Sequence, residues 1–363
     1  MNGRMDWMIY GANGYTGELA AREAVRQGLS PILAGRNAEA VAKLARELGL
    51  QSRAFPLDEP QGAAAELYGV KAVLHCAGPF VHTSPPMVAA CLATGAHYLD
   101  ITGEIAVFEE VLGQGEAARK AGVALIPGVG FDVVPSDCLG ARLAAGLPDA
   151  TELALAFYAE GGGASRGTLK TMIESLPAAG AIRRDGRIVP VPVAWDAREI
   201  DFGGRAGRRW AMTIPWGDVS TAYHSTGIPN IRVYSGMPPK MIRRMKRLAP
   251  LLPLAGWQPV KRLAQRWVER RVTGPTPQQR EAGRTYLWGE VRNAAGRTAT
   301  ATLETPEAYR LTAGSAVASV GRVLAGKVQP GAWTPSRAFG ADFVTELPGV
   351  VAGEVRIAPQ GSP

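Results

Sequence analysis

Seven residues, Gly11-Ala12-Asn13-Gly14-Tyr15-Thr16-Gly17, constrain this chain more than any other stretch. Before them runs Met5-Asp6-Trp7-Met8-Ile9-Tyr10, short, mostly apolar and rich in strand formers. After them, Glu18 to Gln27 has helical periodicity, with Leu19, Ala20, Ala24 and Val25 on its inner face. Strand, glycine turn and helix make the first unit of a dinucleotide-binding fold. The turn needs a residue without a side chain where φ is positive. The pyrophosphate must reach bare backbone N–H groups, and the helix N-terminus offers unpaired donors and partial positive charge. The spacing, G-x-x-G-x-x-G, is a variant of G-x-G-x-x-G. A glycine-rich turn without a ligand is the alternative, and the placement between strand and helix argues against it. Gly11, Asn13, Gly14, Tyr15, Thr16 and Gly17 are therefore the expected pyrophosphate cradle.

Strand and helix keep alternating after this turn. Ser30 to Ala34 reads as the second strand, Ala38 to Leu48 as an amphipathic helix and Ser52 to Leu57 as the third strand. Ala63 to Tyr68 reads as helix, Ala72 to Phe80 as a buried fourth strand that ends in a rigid turn, and Pro85 to Thr94 as helix. His97 to Ile101 is the fifth strand, Phe108 to Ala121 a helix and Val123 to Pro127 the sixth strand. Short links between alternating elements imply a parallel, doubly wound sheet, a Rossmann-type α/β domain.

After the second strand, where an NAD site carries an acid for the ribose hydroxyls, stands Gly35-Arg36-Asn37. A guanidinium suits a 2′-phosphate through paired, charge-assisted hydrogen bonds. Arg36 and Asn37 thus point to NADP(H); the alternative is a solvated arginine opening the next helix. Asp58, at the end of the third strand, is placed by the adenine or serves as a helix cap. Ala77, Gly78, Pro79 and Phe80 would border the nicotinamide.

Composition narrows the classes. A chain of 363 residues has room for two domains. Cys76, Cys91 and Cys138 are too few and scattered for a disulfide framework, and the four histidines form no H-x-x-x-H, so no metal is expected. No apolar run reaches the roughly 20 residues of a spanning helix. With the first strand near Met1 a signal peptide is not expected, which implies a cytoplasmic setting. The net charge is +8, but residues 240–272 hold ten Lys or Arg and one acid, Glu269, so this segment carries +9 and the remainder −1.

Five segments carry a resemblance: Gly11 to Gly17, Ala34 to Asn37, Cys76 to Phe80, Tyr98-Leu99-Asp100-Ile101-Thr102-Gly103-Glu104 and Gly130-Phe131-Asp132-Val133-Val134-Pro135-Ser136-Asp137. In this order they resemble the saccharopine dehydrogenase-like oxidoreductases, and more closely the branch of trans-acting enoyl reductases of lipid and polyketide synthesis. The likeness is strong over the first 137 residues and continues loosely to Ala164–Thr168 and Gly331–Ser336. It implies a nicotinamide-binding domain at 1–135 and a second, α+β substrate and dimerisation domain with a mixed, mainly antiparallel sheet at 136–308. It also implies C-terminal helices, 309–363, returning to the first domain. The sequence fits. Ser136 to Leu147 reads as a linking helix, Thr151 to Tyr158 as a strand and Ser165 to Leu176 as a helix capped by Ser165. Arg187 to Val193, Glu199 to Phe202, Arg209 to Ile214 and Ile231 to Tyr234 are strand-like. Thr285 to Arg292 and Thr298 to Glu304 read as a hairpin, and Thr312 to Leu324 and Pro335 to Glu346 as the final helices.

The resemblance implies an NADPH-dependent reductase of a C=C (enoyl) bond in a bulky apolar substrate. Reduction of an imine formed from an amino acid is the rival, for which Arg166, Arg183 and Arg184 are candidate carboxylate ligands. A non-catalytic, NADPH-binding membrane-docking protein is the rival from another class. Proton-donor candidates from loop position are Glu104 and Asp132, with Tyr98 and Asp100 behind; the alternative is that these acids cap helices and pin loops. His82 is a surface histidine or a donor. The Tyr-x-x-x-Lys spacing of short-chain reductases is absent from the first domain.

The basic stretch has two amphipathic halves. Met241, Ile242, Met245, Leu248 and Leu252 line the first; Val260, Leu263, Ala264, Trp267, Val268 and Val272 line the second; Pro250, Pro253 and Pro259 separate them. Cationic and apolar faces with Trp257 and Trp267 fit peripheral binding to an anionic membrane surface, against the alternative of surface helices packed on the second domain. Nucleic acid is not an expected partner, since no stacking platform accompanies the charge. A second copy of the chain, as a homodimer, stays open.

Overall fold

The computed structural model describes residues 7–58, 60–161, 163–175, 180–251 and 257–358. Met5, Asp6, Leu176, Leu252 and Pro253, named above, lie outside them. The chain divides into two units, Met1–Asp132 with Tyr309–Phe339, and Val133–Ala308 with Gly340–Pro363.

The first unit is built on a parallel sheet of seven strands. Its strands are β1 (Trp7–Tyr10), β2 (Ile32–Gly35), β3 (Ser52–Ala54), β4 (Ala72–His75), β5 (His97–Asp100) and β6 (Ala124–Ile126), with Gly331–Ala332 at one edge. The order from that edge is 331–332, β6, β5, β4, β1, β2, β3. Strands β1, β2, β4, β5 and β6 read as mostly apolar runs because both faces are covered. Met8 and Tyr10 pack with Ile32, Val73, Tyr98 and Leu125 on one side. Trp7 and Ile9 pack with Leu33, Leu74, Leu99 and Ile126 on the other. Helices α1 (Tyr15–Arg26), α2 (Ala38–Leu48), α3 (Pro60–Glu66), α4 (Phe80–Thr94), α5 (Ile105–Gly113) and α6 (Gly115–Ala121) make the crossovers. The end signals of α2 are local: Asn37 accepts from the Ala40 N–H at 3.0 Å, and Gly49 takes φ +67° beyond the last turn.

The second unit carries a mixed sheet. Strand β7 (Ala150–Glu160) pairs in parallel with β12 (Asn230–Gly236) and antiparallel with β13 (Arg284–Asn293). The order is β10 (Ala197–Asp201), β11 (Arg208–Thr213), β12, β7, β13, β14 (Thr298–Pro306), and β8 (Gly180–Arg184) with β9 (Arg187–Val191) forms a side hairpin on β12. Helix α7 (Val134–Gly146) lies on this sheet through small residues: a Cβ at Gly289 would stand 2.5 Å from Leu143 Cδ1. Helices α8 (Arg166–Ser175), α9 (Asp218–Thr226) and α10 (Pro239–Leu248), and the helix Gln258–Arg271, also belong to this unit.

Three expectations change at the end of the chain and at the boundary between the units. The final segment does not return whole to the first unit. Helix Ala308–Leu324 and Gly331–Phe339 lie with the first unit, apart from Ala308, and residues 340–358 lie with the second. There Val351–Ala352 and Arg356–Ala358 pair with β14. The helix expected over Pro335 to Glu346 breaks at Gly340, whose φ is +94°, into Pro335–Phe339 and a 3-10 turn, Phe343–Glu346. The division between the units falls at Asp132/Val133, a little before the expected 135/136.

The helix expected from Pro85 begins five residues earlier, at Phe80, with Pro85 and Pro86 inside it. A distant residue sets this start. The Glu104 carboxylate accepts the Phe80 N–H at 2.7 Å and the Val81 N–H at 2.9 Å. An acid across the open N–H groups of a helix start satisfies them and meets the favourable end of the helix dipole.

Two predictions follow from this packing. Gly17→Ala places a methyl 2.2 Å from the Gly11 carbonyl oxygen, backbone that cannot step aside. Denaturant melts should show a loss of at least about 1–3 kcal/mol; unchanged stability would mean that the turn is looser than described. Glu104→Ala should cost about 0.5–2 kcal/mol through the lost cap on α4, read as a fall in the midpoint of thermal melting.

Candidate active site

In an open parallel sheet, ligands bind beyond the carboxyl ends of the strands where the strand order reverses. That reversal here lies between β1 and β4, whose registers bring Tyr10 beside His75. The loops that leave these two strands touch. Gly11, at φ +81°, has no room for a Cβ, which would stand 2.8 Å from Ala77 N and 2.9 Å from Ala77 Cβ. Gly11 and Ala12 donate their N–H groups to the Ala34 carbonyl at 2.8 and 3.0 Å, tying the turn to β2. Gly14 is exposed at the N-cap of α1 in extended conformation, and no side chain caps that end. The first turn of α1 thus starts without a side-chain cap behind the exposed Asn13 and Gly14, the form that a phosphate requires. Asn13 lies over Gly35, where a Cβ would come within 2.9 Å of its Oδ1. Tyr15 is stacked edge-on against Tyr309 at 4.9 Å, and Thr16 is half-buried beside it.

Arg36 is exposed and makes no ion pair or hydrogen bond with any described residue. Its charge and that of Asp58 both act on the Tyr10 hydroxyl, in opposite senses, which places the two residues around one point at the ends of β1 to β3. The Tyr10 phenol, pushed up to about 12 chiefly by burial, donates to the Phe55 carbonyl at 2.8 Å. Asn37, expected beside Arg36 in the cofactor set, spends its side chain on the α2 cap.

The loop Ala77-Gly78-Pro79-Phe80 opens α4 and is braced from behind. Thr83 donates its hydroxyl to the Ala77 carbonyl at 2.6 Å, with the Pro79 carbonyl at 3.2 Å. The fully buried His75 reaches Thr83 Oγ1 through Nε2 at 3.0 Å. Because Thr83 commits its only proton to a carbonyl, Nε2 carries the donating proton and Nδ1 is a buried acceptor. Burial pushes the His75 imidazole down to about 3, so it stays neutral. This brace was not anticipated; a histidine inside an apolar strand was its one signal.

The proton-donor candidates separate. Glu104 uses both carboxylate oxygens on α4. Tyr98 is fully buried, its hydroxyl 2.7 Å from Asp100 Oδ2 and 2.9 Å from Ser84 Oγ. Asp100, also fully buried, accepts the Thr102 N–H at 2.9 Å and the Gly128 N–H at 2.8 Å, so it ties the β5 and β6 loops together. Burial pushes its carboxyl up to about 6, against the pull of these hydrogen bonds. Asp132 differs. It is half-buried and lies against Gly103, where a Cβ would meet its Oδ2 at 2.6 Å. Burial, helped by the Glu104 charge, pushes its carboxyl up to about 7. His82 is exposed. The loop that carries Asp132 is held by the late helix Ala308–Leu324: Phe131 donates its N–H to Thr312 Oγ1 at 2.9 Å, and Ser315 donates to the Val129 carbonyl at 2.7 Å.

These residues fit a phosphorylated dinucleotide. The turn Gly11–Gly17 and the α1 N-terminus would hold the pyrophosphate, Arg36 the additional phosphate, and Ala77–Phe80 the nicotinamide end. Comparison with known proteins agrees. Residues 7–126 match the family described as the saccharopine dehydrogenase NADP binding domain. Proteins named trans-acting enoyl reductase are 35% identical in Mycobacterium leprae and 33% identical in Mycobacterium tuberculosis, each over 140 residues that cover 36% of this chain and 34% of the relative. The chain spans less than half the length of the curated relatives it matches. Apo saccharopine dehydrogenase (L-Glu forming) from Saccharomyces cerevisiae has the same fold, with a TM-score of 0.67 at 12% identity over 98% of this chain and 100% of that one. Residues 7–126 of the first unit thus match the saccharopine dehydrogenase NADP binding domain, on a chain whose sequence relatives include proteins named trans-acting enoyl reductase and whose fold is that of saccharopine dehydrogenase.

Proposed function

We propose that this protein is an NADPH-dependent reductase of a C=C (enoyl) bond in a bulky apolar, lipid- or polyketide-like molecule. The observation that carries the cofactor part is the exposed Arg36 guanidinium, free of protein partners among the described residues, where NAD-specific sites hold an acid. The names of the sequence relatives support the enoyl part. NADPH, when bound, supplies a hydride. The chain's own work is to seat the dinucleotide on the Gly11–Gly17 turn, to fix the Ala77–Phe80 loop against it and to deliver a proton.

Asp132 is the proposed proton donor. A carboxyl with its pKa near neutrality is part protonated at the working pH, which is what a general acid needs. Glu104, held on the α4 backbone, raises that pKa by its charge and is a positioning residue. Tyr98 and Asp100 fix the β5 and β6 loops from behind. The imine alternative calls for arginines free to meet carboxylates. Arg183 is 5% exposed, donates to the carbonyls of Val219 and Gly186 at 2.8 and 2.7 Å, and stacks over Tyr223. Arg166 donates to the Val272 carbonyl. Both are committed to the fold of their own unit, which leaves the exposed Arg184, over the Trp195 ring, as the one of the three arginines open to a carboxylate and favours the apolar substrate. NADPH oxidation against a panel of enoyl, carbonyl and imine substrates tests the proposal; turnover of imines alone would refute it.

Two variants sharpen it. Arg36→Ala should weaken NADPH by about 1.5–3 kcal/mol, the worth of a hydrogen bond to a charged group, and leave NADH nearly unchanged; equal weakening of both, by calorimetry, would remove Arg36 from the phosphate. Turnover should fall as pH rises through about 7, because deprotonation of Asp132 removes the donor. Asp132→Asn should lose about 10²–10⁴ in turnover and flatten that limb, with NADPH affinity kept.

A further inference from the structure

The charge of this chain is concentrated in residues 240–272, with +9 there against −1 elsewhere. The structure describes most of this segment as two helices, α10 and Gln258–Arg271. Each already has an inward residue. Ile242 is 5% exposed and packs with Ala194 and Met212, and Val268 is 2% exposed. Those residues form the packing faces. Other large apolar side chains of the same helices are left in water. On the second helix Val260, Leu263 and Trp267 are 40%, 71% and 60% exposed, and Trp257 just before it is 66% exposed. Spacings of three and four residues put Val260, Leu263 and Trp267 in one stripe. Arg262 and Arg266, both exposed, lie on one side of that stripe, with Arg266 next to it. On α10, Met241 and Leu248, seven residues apart and so on one face, are 52% and 44% exposed beside the exposed Arg244.

We infer that this segment docks the protein on an anionic lipid surface, with the Val260–Leu263–Trp267 stripe entering the headgroup boundary and the arginines meeting lipid phosphates. The charge selects the partner. A purely apolar exposed stripe fits many surfaces, but one bordered by cations in a segment with one acid matches a surface that is apolar below and anionic above. A polyanion in water offers nothing to Leu263 and Trp267. Among the described residues no helix is long and apolar enough to cross a membrane, so the contact is one of lying on the surface. Two attractions add: a Coulomb term screened within a Debye length, about 10 Å at 0.1 M salt, and an apolar term that salt leaves intact.

The test uses the full chain with vesicles of phosphatidylcholine alone or mixed with phosphatidylglycerol, followed by flotation. Binding to the anionic vesicles is expected at low salt, weaker but still present at about 0.15 M, and little or none to the neutral ones. Arg262→Gln with Arg266→Gln should weaken binding about 25-fold, about five-fold for each cation. Leu263→Ser with Trp267→Ala should weaken it at least about ten-fold and remove the salt-resistant part. Melting temperature and NADPH affinity should hold in both double variants. Equal binding to neutral vesicles, or no binding to anionic vesicles at low salt, overturns the inference. So does a large fall in melting temperature in the Leu263/Trp267 variant, because those side chains would then be packed in the fold. Concentration-dependent self-association lost in the same variants, without vesicle binding, overturns it in favour of a second copy of the chain.

Discussion

The first unit depends on a contact that leaves no space for a side chain. The chain leaves β1 at Gly11, against Ala77 on the loop that leaves β4, and turns back so that Gly17 lies on the Gly11 carbonyl. Both close approaches are to backbone, so neither relaxes by a rotamer change. They bring the two central loops of the sheet to van der Waals distance at the point where the strand order reverses. They also aim the start of α1, uncapped by any side chain, at whatever occupies that crevice.

Around this contact the polar groups do two kinds of work. His75, Thr83, Tyr98 and Asp100 are buried or nearly so and hold loops to strands; burial moves the pKa values of His75, Tyr98 and Asp100, and the hydrogen bonds of the four go to backbone, to each other and to Ser84. Glu104 extends this frame to α4. Asp132 stands at the edge of the frame with its carboxyl near neutrality. Burial, helped by the negative charge of Glu104 fixed on the start of α4, keeps the Asp132 proton on at a pH where an isolated aspartate has lost it.

Strands β1, β2, β4, β5 and β6 were legible because each is a short apolar run followed by a turn and a helix; the edge strand Gly331–Ala332, two residues long, carries no such pattern. The β13–β14 hairpin was legible for a similar reason, with Gly296 at φ +78° in the expected turn. What escaped was set by distant partners. The start of α4 depends on Glu104, 24 residues later, and nothing between Phe80 and Pro85 announces it. The support of the Asp132 loop comes from Thr312 and Ser315, about 180 residues away. The last segment was expected to return whole to the first unit, but its closing strands pair with β14, a choice made by an open sheet edge. Of the site, the glycine turn and Arg36 could be read from residue type and position. The roles of Glu104, Tyr98 and Asp132 could not, because three acidic or hydroxylated side chains on β5 and the loops after β5 and β6 differ only in what each one touches.

The functional account joins an NADP-binding unit to reduction of a carbon–carbon double bond, with the second hydrogen arriving as a proton from a water-exchangeable group. Its most direct test is to run the reduction of an enoyl substrate with unlabelled NADPH in D2O and to locate deuterium in the product by mass spectrometry and NMR. The account predicts one carbon-bound deuterium, at the α-carbon of the former double bond, and none at the β-carbon. Product formed without carbon-bound deuterium, or an active protein that reduces only C=N substrates, would contradict it.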